Sequence, residues 1–147
     1  MSSTKKGKTL TEDIGEMARP DWTPEDAVAL YMIDRWGDGY FDVDEQGELT
    51  VAPLQEQGAS ISIYKVLQEA LAQGLLPPIL IRFQDLARHR VRALNEAFLS
   101  AIEEFGYKGH YRGVYPLKVN QLHEVVEEIL EAGRPYGFGL EAGSKCE

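Results

Sequence analysis

Lys118 is the residue of this sequence whose type and position are best suited to covalent chemistry. It lies near the end of the segment 110–121, between Leu117 and Val119, and the alternation of that segment through Val114 predicts a strand buried on both faces of a parallel sheet. Desolvation lowers the pKa of an amine, and a neutral amine forms a Schiff base with an aldehyde. In an α/β barrel, active sites lie at the carboxyl ends of the strands. The alternative is a lysine that turns outward to water.

Other residues with chemical potential are weaker candidates. The three histidines, His89, His110 and His123, do not have the spacing of metal ligands. Cys146 is the single cysteine, which excludes an internal disulfide and a cysteine-built metal site. Acidic residues cluster between positions 42 and 48, but their spacing and the place of the glycine do not match a calcium loop. A solvated turn is the better interpretation.

The composition is that of a globular protein. Of the 147 residues, 44% are hydrophobic and 27% are charged, which suits one domain of ordinary size. The net charge of −9 argues against a nucleic acid as the main partner, because phosphate binding needs clustered Lys and Arg. No apolar run approaches the length of a membrane span, and no signal-peptide core follows the start. We therefore expect a cytoplasmic protein that binds neither nucleic acid nor membrane.

The first half of the chain predicts a tail, two helices and a hairpin. Residues 1–19 have little apolar surface to bury and are expected to form a flexible tail. Thr23 and Asp26 form a capping-box pattern around Pro24, which suits the first position of a helix. Two short β runs, at 40–43 and 48–51, flank a polar turn that ends in glycine and predict a hairpin. A second helix is expected after Ser60 or Ser62, closed by Gly74.

The second half predicts alternating strands and helices. An apolar strand is expected at 79–83, followed by an amphipathic helix over 86–105. The Lys118 strand comes next, then a helix that Asn120 opens and Gly133 ends, and a third strand over 137–141. Helical crossovers of this length imply parallel strands. The pattern alone begins either a barrel or a doubly wound sheet.

Three segments resemble one family of enzymes. They are Tyr-Arg-Gly-Val-Tyr-Pro-Leu-Lys-Val-Asn-Gln (111–121), Val-Val-Glu-Glu-Ile (125–129) and Gly-Leu-Glu-Ala-Gly-Ser-Lys (139–145). They are similar to the biosynthetic arginine decarboxylases, which use pyridoxal phosphate on an alanine-racemase-like barrel, and the resemblance runs from about residue 21 to residue 144. It implies the start of a (β/α)8 TIM barrel over 77–147, with about three strands. It also implies that the helix, hairpin and helix of 20–76 belong with a separate β domain.

The resemblance implies a reaction and a set of site residues. Lys118 matches the lysine that carries the cofactor, and Glu141 matches a position where related decarboxylases have an acid near it, although a helix-entry or solvated role is equally open. Arg112 is read as a member of a structural ion pair, and Ser144 as a helix cap. The substrate would be L-arginine, converted to agmatine and carbon dioxide for polyamine synthesis. Magnesium and a homo-oligomeric state of the full-length protein follow from the family alone, and no magnesium ligands can be named.

The sequence is shorter than the family requires. A closed barrel needs about 250 residues, and the residues expected to bind the phosphate and the substrate would lie further along the chain. Cys146 stands where the family usually has proline. We therefore expect an N-terminal fragment that is inactive alone. Two alternatives remain, a non-decarboxylating barrel protein that binds pyridoxal phosphate and an inactive truncated product.

Overall fold

The computed structural model describes residues 21–147, and the tail expected over residues 1–19 lies outside them. The helices are α1 (Pro24–Tyr31), α2 (Ile33–Trp36), α3 (Ile63–Ala72), α4 (Gln84–Glu104) and α5 (His123–Gly133), with 3-10 turns at Gln55–Gln57 and Arg134–Tyr136. The strands are β1 (Phe41–Val43), β2 (Leu49–Val51), β3 (Ile61–Ser62), β4 (Val114–Pro116) and β5 (Gly139–Glu141). We call residues 24–72 the hairpin unit and residues 84–141 the lysine unit.

Helix α1 begins as its sequence predicts. The Asp26 amide donates to Thr23 Oγ1 at 3.3 Å, and the Thr23 amide donates to an Asp26 carboxylate oxygen at 3.0 Å. Pro24 takes the first helical position, where a missing N–H costs nothing. Hydrogen bonds from its own backbone amide and from Thr23 hold the pKa of Glu25 below its usual value. The predicted capping box is confirmed, and α1 ends at Tyr31, followed by Met32 with a φ of 53°.

The hairpin unit is a three-stranded antiparallel sheet covered by helices. β1 pairs with β2 so that Phe41 lies opposite Val51, which is fully buried. In the turn, Asp44 Oδ1 accepts from the Glu48 amide at 2.9 Å, and Gly47 has a φ of 79° that suits glycine. The predicted hairpin is confirmed. The sequence pattern did not predict β3, which pairs with the other edge of β2.

Ser62 joins β3 to α3. Its Oγ accepts from the Lys65 amide at 3.1 Å, which caps the helix, and donates to Glu48 Oε2 at 2.6 Å. Of the two predicted caps, Ser62 is therefore the one used. Gly74, with a φ of 87°, follows the end of α3 as predicted.

Helices α4 and α5 pack against each other and form the core of the lysine unit. This core contains three buried residues, Val91, Ile129 and Ala132. At its edge Arg88 of α4 forms ion pairs with Glu128 and, at 2.8 Å, with Glu131 of α5. The pKa of the Arg88 guanidinium is raised, and the hydrogen bond to Glu128 is the main cause. The amphipathic patterns predicted both helices but only part of their apolar contact, because Leu94 and Phe98 on the predicted face of α4 are 46% and 44% exposed.

The lysine unit contains two parallel strands where three were predicted. β4 and β5 are joined by α5 and pair in parallel, which confirms the crossover inferred from sequence. Residues 79–83 form no strand, and Leu80 is 71% exposed. A strand exists through hydrogen bonds to a neighbour, and among residues 21–147 the segment has no strand partner. Apolar composition therefore misled the prediction.

The two units contact each other through side chains distant in sequence. Tyr40 Oη and His89 Nδ1 lie 2.7 Å apart, and their rings meet edge to face with centroids 5.6 Å apart. Beside them Arg90 Nη1 donates to Asp38 Oδ2 at 2.9 Å. The start of α4 is thus attached to the segment that leads into β1. Over the part of the chain that the structure describes, no helix has the length and apolar character needed to cross a membrane.

Candidate active site

Lys118 lies in a turn directly beyond the carboxyl end of β4. The strand ends at Pro116, and residues 117–119 form the turn. The Lys118 side chain is exposed. The strand predicted through Val119 was therefore too long, because only Val114–Pro116 pair with β5. The lysine nevertheless lies at the predicted end of a parallel strand.

The backbone around Lys118 is tied to the neighbouring strand. The Leu117 amide donates to the carbonyl of Glu141 in β5 at 3.0 Å. The Val119 amide donates to the Pro116 carbonyl at 3.1 Å, which closes the turn. Both residues next to Lys118 thus have hydrogen-bonded amides, so the path of the chain at the lysine is set by β4 and β5.

The segment that follows is held by Tyr115 and Asn120. Tyr115 Oη donates to the Asn120 carbonyl at 3.2 Å, and Asn120 Oδ1 accepts from the Leu122 amide at 3.1 Å. The second contact is an Asx turn, in which the side chain mimics a backbone turn. Helix α5 accordingly begins at His123, three residues later than predicted. The sequence analysis did not predict that Tyr115 contacts the loop after Lys118. A tyrosine in a half-buried strand needs a hydrogen-bond partner for its hydroxyl, and this requirement could have indicated the contact.

The two faces of the β4–β5 pair differ. The Tyr115 ring packs against the core of α4 and α5, so alternation places Val114 and Pro116 on the opposite face. Residues paired in register share a face, and Glu141 is paired with Pro116. Val114 is 54% exposed, so the prediction of a strand buried on both faces is wrong. Among the described residues, helices cover one face of this sheet only.

Glu141 ends β5 on the open face and is half-buried. Within residues 21–147, no carboxylate oxygen lies within 4.0 Å of the Lys118 amine or of the Arg112 guanidinium. The ion pair predicted for Arg112 is therefore wrong in this structure, where that side chain is exposed. Ser144 Oγ donates to Glu147 Oε1 at 3.3 Å. It caps no helix here, because the described chain forms only a turn beyond it.

These residues fit one end of pyridoxal phosphate. An accessible primary amine on a fixed turn can bond to the aldehyde carbon, and the open face carrying Glu141 lies beside it. We assign the phosphate and the ring to no described residue. No group of three or more His, Cys, Asp or Glu side chains suited to a metal ion occurs between residues 21 and 147.

Comparison with known proteins gives a consistent set of relatives, although no family model matches the chain. A protein of Gloeobacter violaceus named biosynthetic arginine decarboxylase is 47% identical over 127 residues, 86% of this chain and 20% of the relative. Proteins of the same name from a strain of Prochlorococcus marinus and from a Synechococcus species are 43% and 42% identical. Their matches cover 94% and 90% of this chain, and 21% of each relative.

The similarity predicted from three short segments thus extends over most of the chain. The resemblance to biosynthetic arginine decarboxylases is confirmed. The chain spans about a fifth of the length of these curated relatives.

Proposed function

We propose that this chain is a portion of a biosynthetic arginine decarboxylase in which Lys118 holds pyridoxal phosphate at the end of β4. The observation that carries the proposal is 42 to 47% identity with proteins of that name over most of the chain. A match of 127 residues in a chain of 147 includes Lys118 wherever the match begins. The position of the lysine after a parallel strand gives independent support.

The whole protein would remove the α-carboxylate of L-arginine and form agmatine and carbon dioxide. Pyridoxal phosphate, when bound, supplies an electron sink for the pair that remains when the carboxylate leaves. From the resemblance we place this reaction in the cytoplasm, in a homo-oligomer that feeds polyamine synthesis. Magnesium rests on the resemblance alone, and no step of this proposal passes through it.

The Lys118 amine would bond to the aldehyde carbon of the cofactor and would later transfer a proton. The exposed amine can reach a ligand above the open face, because the turn at 117–119 projects beyond the last strand pair. The amides of Leu117 and Val119 are both hydrogen-bonded, so the lysine backbone changes little when a ligand arrives. Once released from the cofactor, the same amine lies where it can give or accept a proton.

Glu141 would line the cofactor side of the site. It shares the open face with Pro116, and its carbonyl accepts from Leu117, so it sits beside the turn that carries Lys118. A carboxylate at that place favours a positively charged group on the ligand. The half-buried position supports a role at the edge of the site, in contact with both ligand and solvent.

The chain alone would be inactive. Within the described residues β4 and β5 pair only with each other, so each strand has a free edge. The Lys118 side chain is exposed, whereas decarboxylation depends on orienting the substrate bond and excluding water. The remaining four fifths of the relatives' length would supply those contacts.

A chimera tests the proposal. We expect that this chain, replacing the matching segment of the Gloeobacter violaceus relative, supports release of carbon dioxide from carboxyl-labelled arginine, whereas the isolated chain releases none. Lys118→Arg keeps the charge but removes the nucleophile, and should reduce the rate of the chimera about a thousandfold or more.

Lys108→Arg is the matched control, because Lys108 is also exposed but lies before β4. It should leave the rate within about twofold. A folded chimera without activity, or full activity of Lys118→Arg, would contradict the proposal.

A further inference from the structure

Tyr115 connects the core of the lysine unit to the loop that follows Lys118. Its ring packs against the cluster of Val91, Ile129 and Ala132, and its hydroxyl donates to the Asn120 carbonyl at 3.2 Å. A tyrosine side chain has two rotatable bonds, so a ring held by the core leaves its hydroxyl little freedom. The oxygen of Asn120 is thereby fixed relative to the two helices.

The other contacts of the loop are local. Val119 bonds to Pro116, and Asn120 bonds to Leu122 through its side chain. The first bond closes the turn, and the second reaches the residue that caps α5 but no residue of the α4–α5 core. Leu117 attaches it to β5 on the side before Lys118. On the side after Lys118, the Val119 amide bonds back to Pro116 of β4, and the Tyr115 hydroxyl attaches the next residue, Asn120, from the helix-covered face.

We infer that Tyr115 is a positioning residue for Lys118, holding the lysine turn at a fixed place relative to the α4–α5 core. This inference rests on the proposed function of Lys118. Tyr115 acts through the Asn120 carbonyl, because its ring lies on the helix-covered face whereas Glu141 lies on the open face. The lysine amine is exposed and is otherwise free to sample many orientations.

The test compares two Tyr→Phe variants of the full chain. Tyr115→Phe removes the hydroxyl on the lysine loop, and Tyr136→Phe removes one that donates to Glu96 Oε1 at 3.0 Å elsewhere in the same unit. The first readout is amide hydrogen exchange at Val119 and Leu122. We expect exchange to become about two- to tenfold faster in Tyr115→Phe, as the loss of one hydrogen bond predicts. It should be unchanged at both amides in Tyr136→Phe.

The second readout is attachment of pyridoxal phosphate, trapped with borohydride and located by peptide mapping. In the unmodified chain, labelling of Lys118 should exceed that of Lys108 and Lys145. Tyr115→Phe should lower that preference by a factor similar to the change in exchange, and Tyr136→Phe should preserve it. An equal preference in all three proteins would overturn the role of Tyr115 and leave the proposed function standing.

Two further outcomes separate positioning from general stability. If both Tyr→Phe variants lower the preference equally, Tyr115 is merely structural and the inference is overturned. If Lys118 shows no preference either in the isolated chain or within the chimera with the Gloeobacter violaceus relative, the proposed function fails, and the positioning role fails with it.

Asn120 gives a second pair of variants that does not touch the core. Asn120→Ala removes the acceptor for the Leu122 amide and should lower the preference for Lys118, whereas Asn120→Asp retains an acceptor and should preserve it. Asn120→Ala keeps the carbonyl to which Tyr115 donates, so labelling that is unchanged in Asn120→Ala but reduced in Tyr115→Phe would assign the positioning to the Tyr115 contact. Labelling that is reduced in Asn120→Ala but unchanged in Tyr115→Phe would overturn the inference.

Discussion

At the scale of single residues, the position of Lys118 in the fold was predicted correctly, but the burial of its side chain was not. Lys118 lies just beyond a parallel strand, as its sequence context predicted, but its side chain is exposed rather than desolvated. Low dielectric comes from packing on every side, and the open face of the β4–β5 pair has no such cover among residues 21–147. Reactivity at Lys118 therefore depends on what covers that face.

The most buried polar side chain of the lysine unit is Asn95 in α4. It is 1% exposed, and its amide nitrogen donates to the Val91 carbonyl at 2.7 Å, whereas its Oδ1 has no partner in the described structure. A buried acceptor without a partner costs about 1–3 kcal/mol. Asparagine is also a poorer helix former than leucine by a few tenths of a kcal/mol.

We predict that Asn95→Leu raises the free energy of unfolding by about 1 kcal/mol, because the orphan acceptor is removed at the cost of one hydrogen bond. Urea denaturation followed by circular dichroism measures the change. Asn95→Asp is the matched control and should lower stability by several kcal/mol through a buried charge. A loss of stability in Asn95→Leu would show that Oδ1 has a partner, such as an internal water molecule.

At the scale of secondary-structure elements, the junction between α5 and β5 is set by close packing around Phe138. A methyl group on Gly133 would lie against Phe138 Cβ and 2.9 Å from Cγ, and one on Gly113 would meet the ring of the same residue. Gly137, between Gly133 and Phe138, has a φ of 65°, which turns the chain back toward β4. Small residues here allow the strand and the helix end to approach.

Gly133→Ala should therefore lower the free energy of unfolding by about 1–3 kcal/mol, through overpacking against Phe138. Helix propensity alone predicts the opposite sign, a gain of up to about 1 kcal/mol. The control is Gly139→Ala, whose methyl group would meet only Val114 Cγ1 at 3.8 Å, and whose effect should stay within about 0.5 kcal/mol. Chemical denaturation decides the sign, and stabilisation by Gly133→Ala would refute the packing account.

At the scale of the whole molecule, the hairpin unit and the lysine unit meet through two pairs of different character. Tyr40 is 6% exposed and contacts His89, whereas Asp38 and Arg90 form an ion pair with both side chains more than 60% exposed. A solvent-exposed ion pair contributes little, because water screens it and its long side chains lose entropy. The partly buried contact between the Tyr40 hydroxyl and His89 should therefore carry most of the coupling between the units.

A pair of double-mutant cycles measures that coupling. We expect an interaction energy of about 0.5–1.5 kcal/mol for Tyr40→Phe with His89→Ala, from the loss of one partly buried hydrogen bond. The matched cycle, Asp38→Asn with Arg90→Gln, should give at most a few tenths of a kcal/mol. Both are obtained from urea denaturation midpoints. A larger coupling for the exposed ion pair would reverse this account of the interface.

Local hydrogen bonding and apolar spacing allowed the sequence to determine much of this protein. The Thr23–Asp26 capping box and the hairpin turn at Asp44 were predictable, because each depends on residues close together in the chain. The helical crossover between β4 and β5 was predictable from the order strand, helix, strand. The same holds for the position of Lys118 after its strand. The resemblance to biosynthetic arginine decarboxylases was also recognisable in three short segments, and the comparison with curated relatives confirms it.

Only the tertiary structure decided which segments pair and which faces are covered. Residues 79–83 have the composition of a strand but lack a neighbour, whereas β3 has one and forms. The contacts of Tyr40 with His89, and of the Tyr115 ring with the helical core, join residues with no common local pattern. Strand pairing and burial depend on partners distant in the sequence, and their positions are fixed only when the chain has folded.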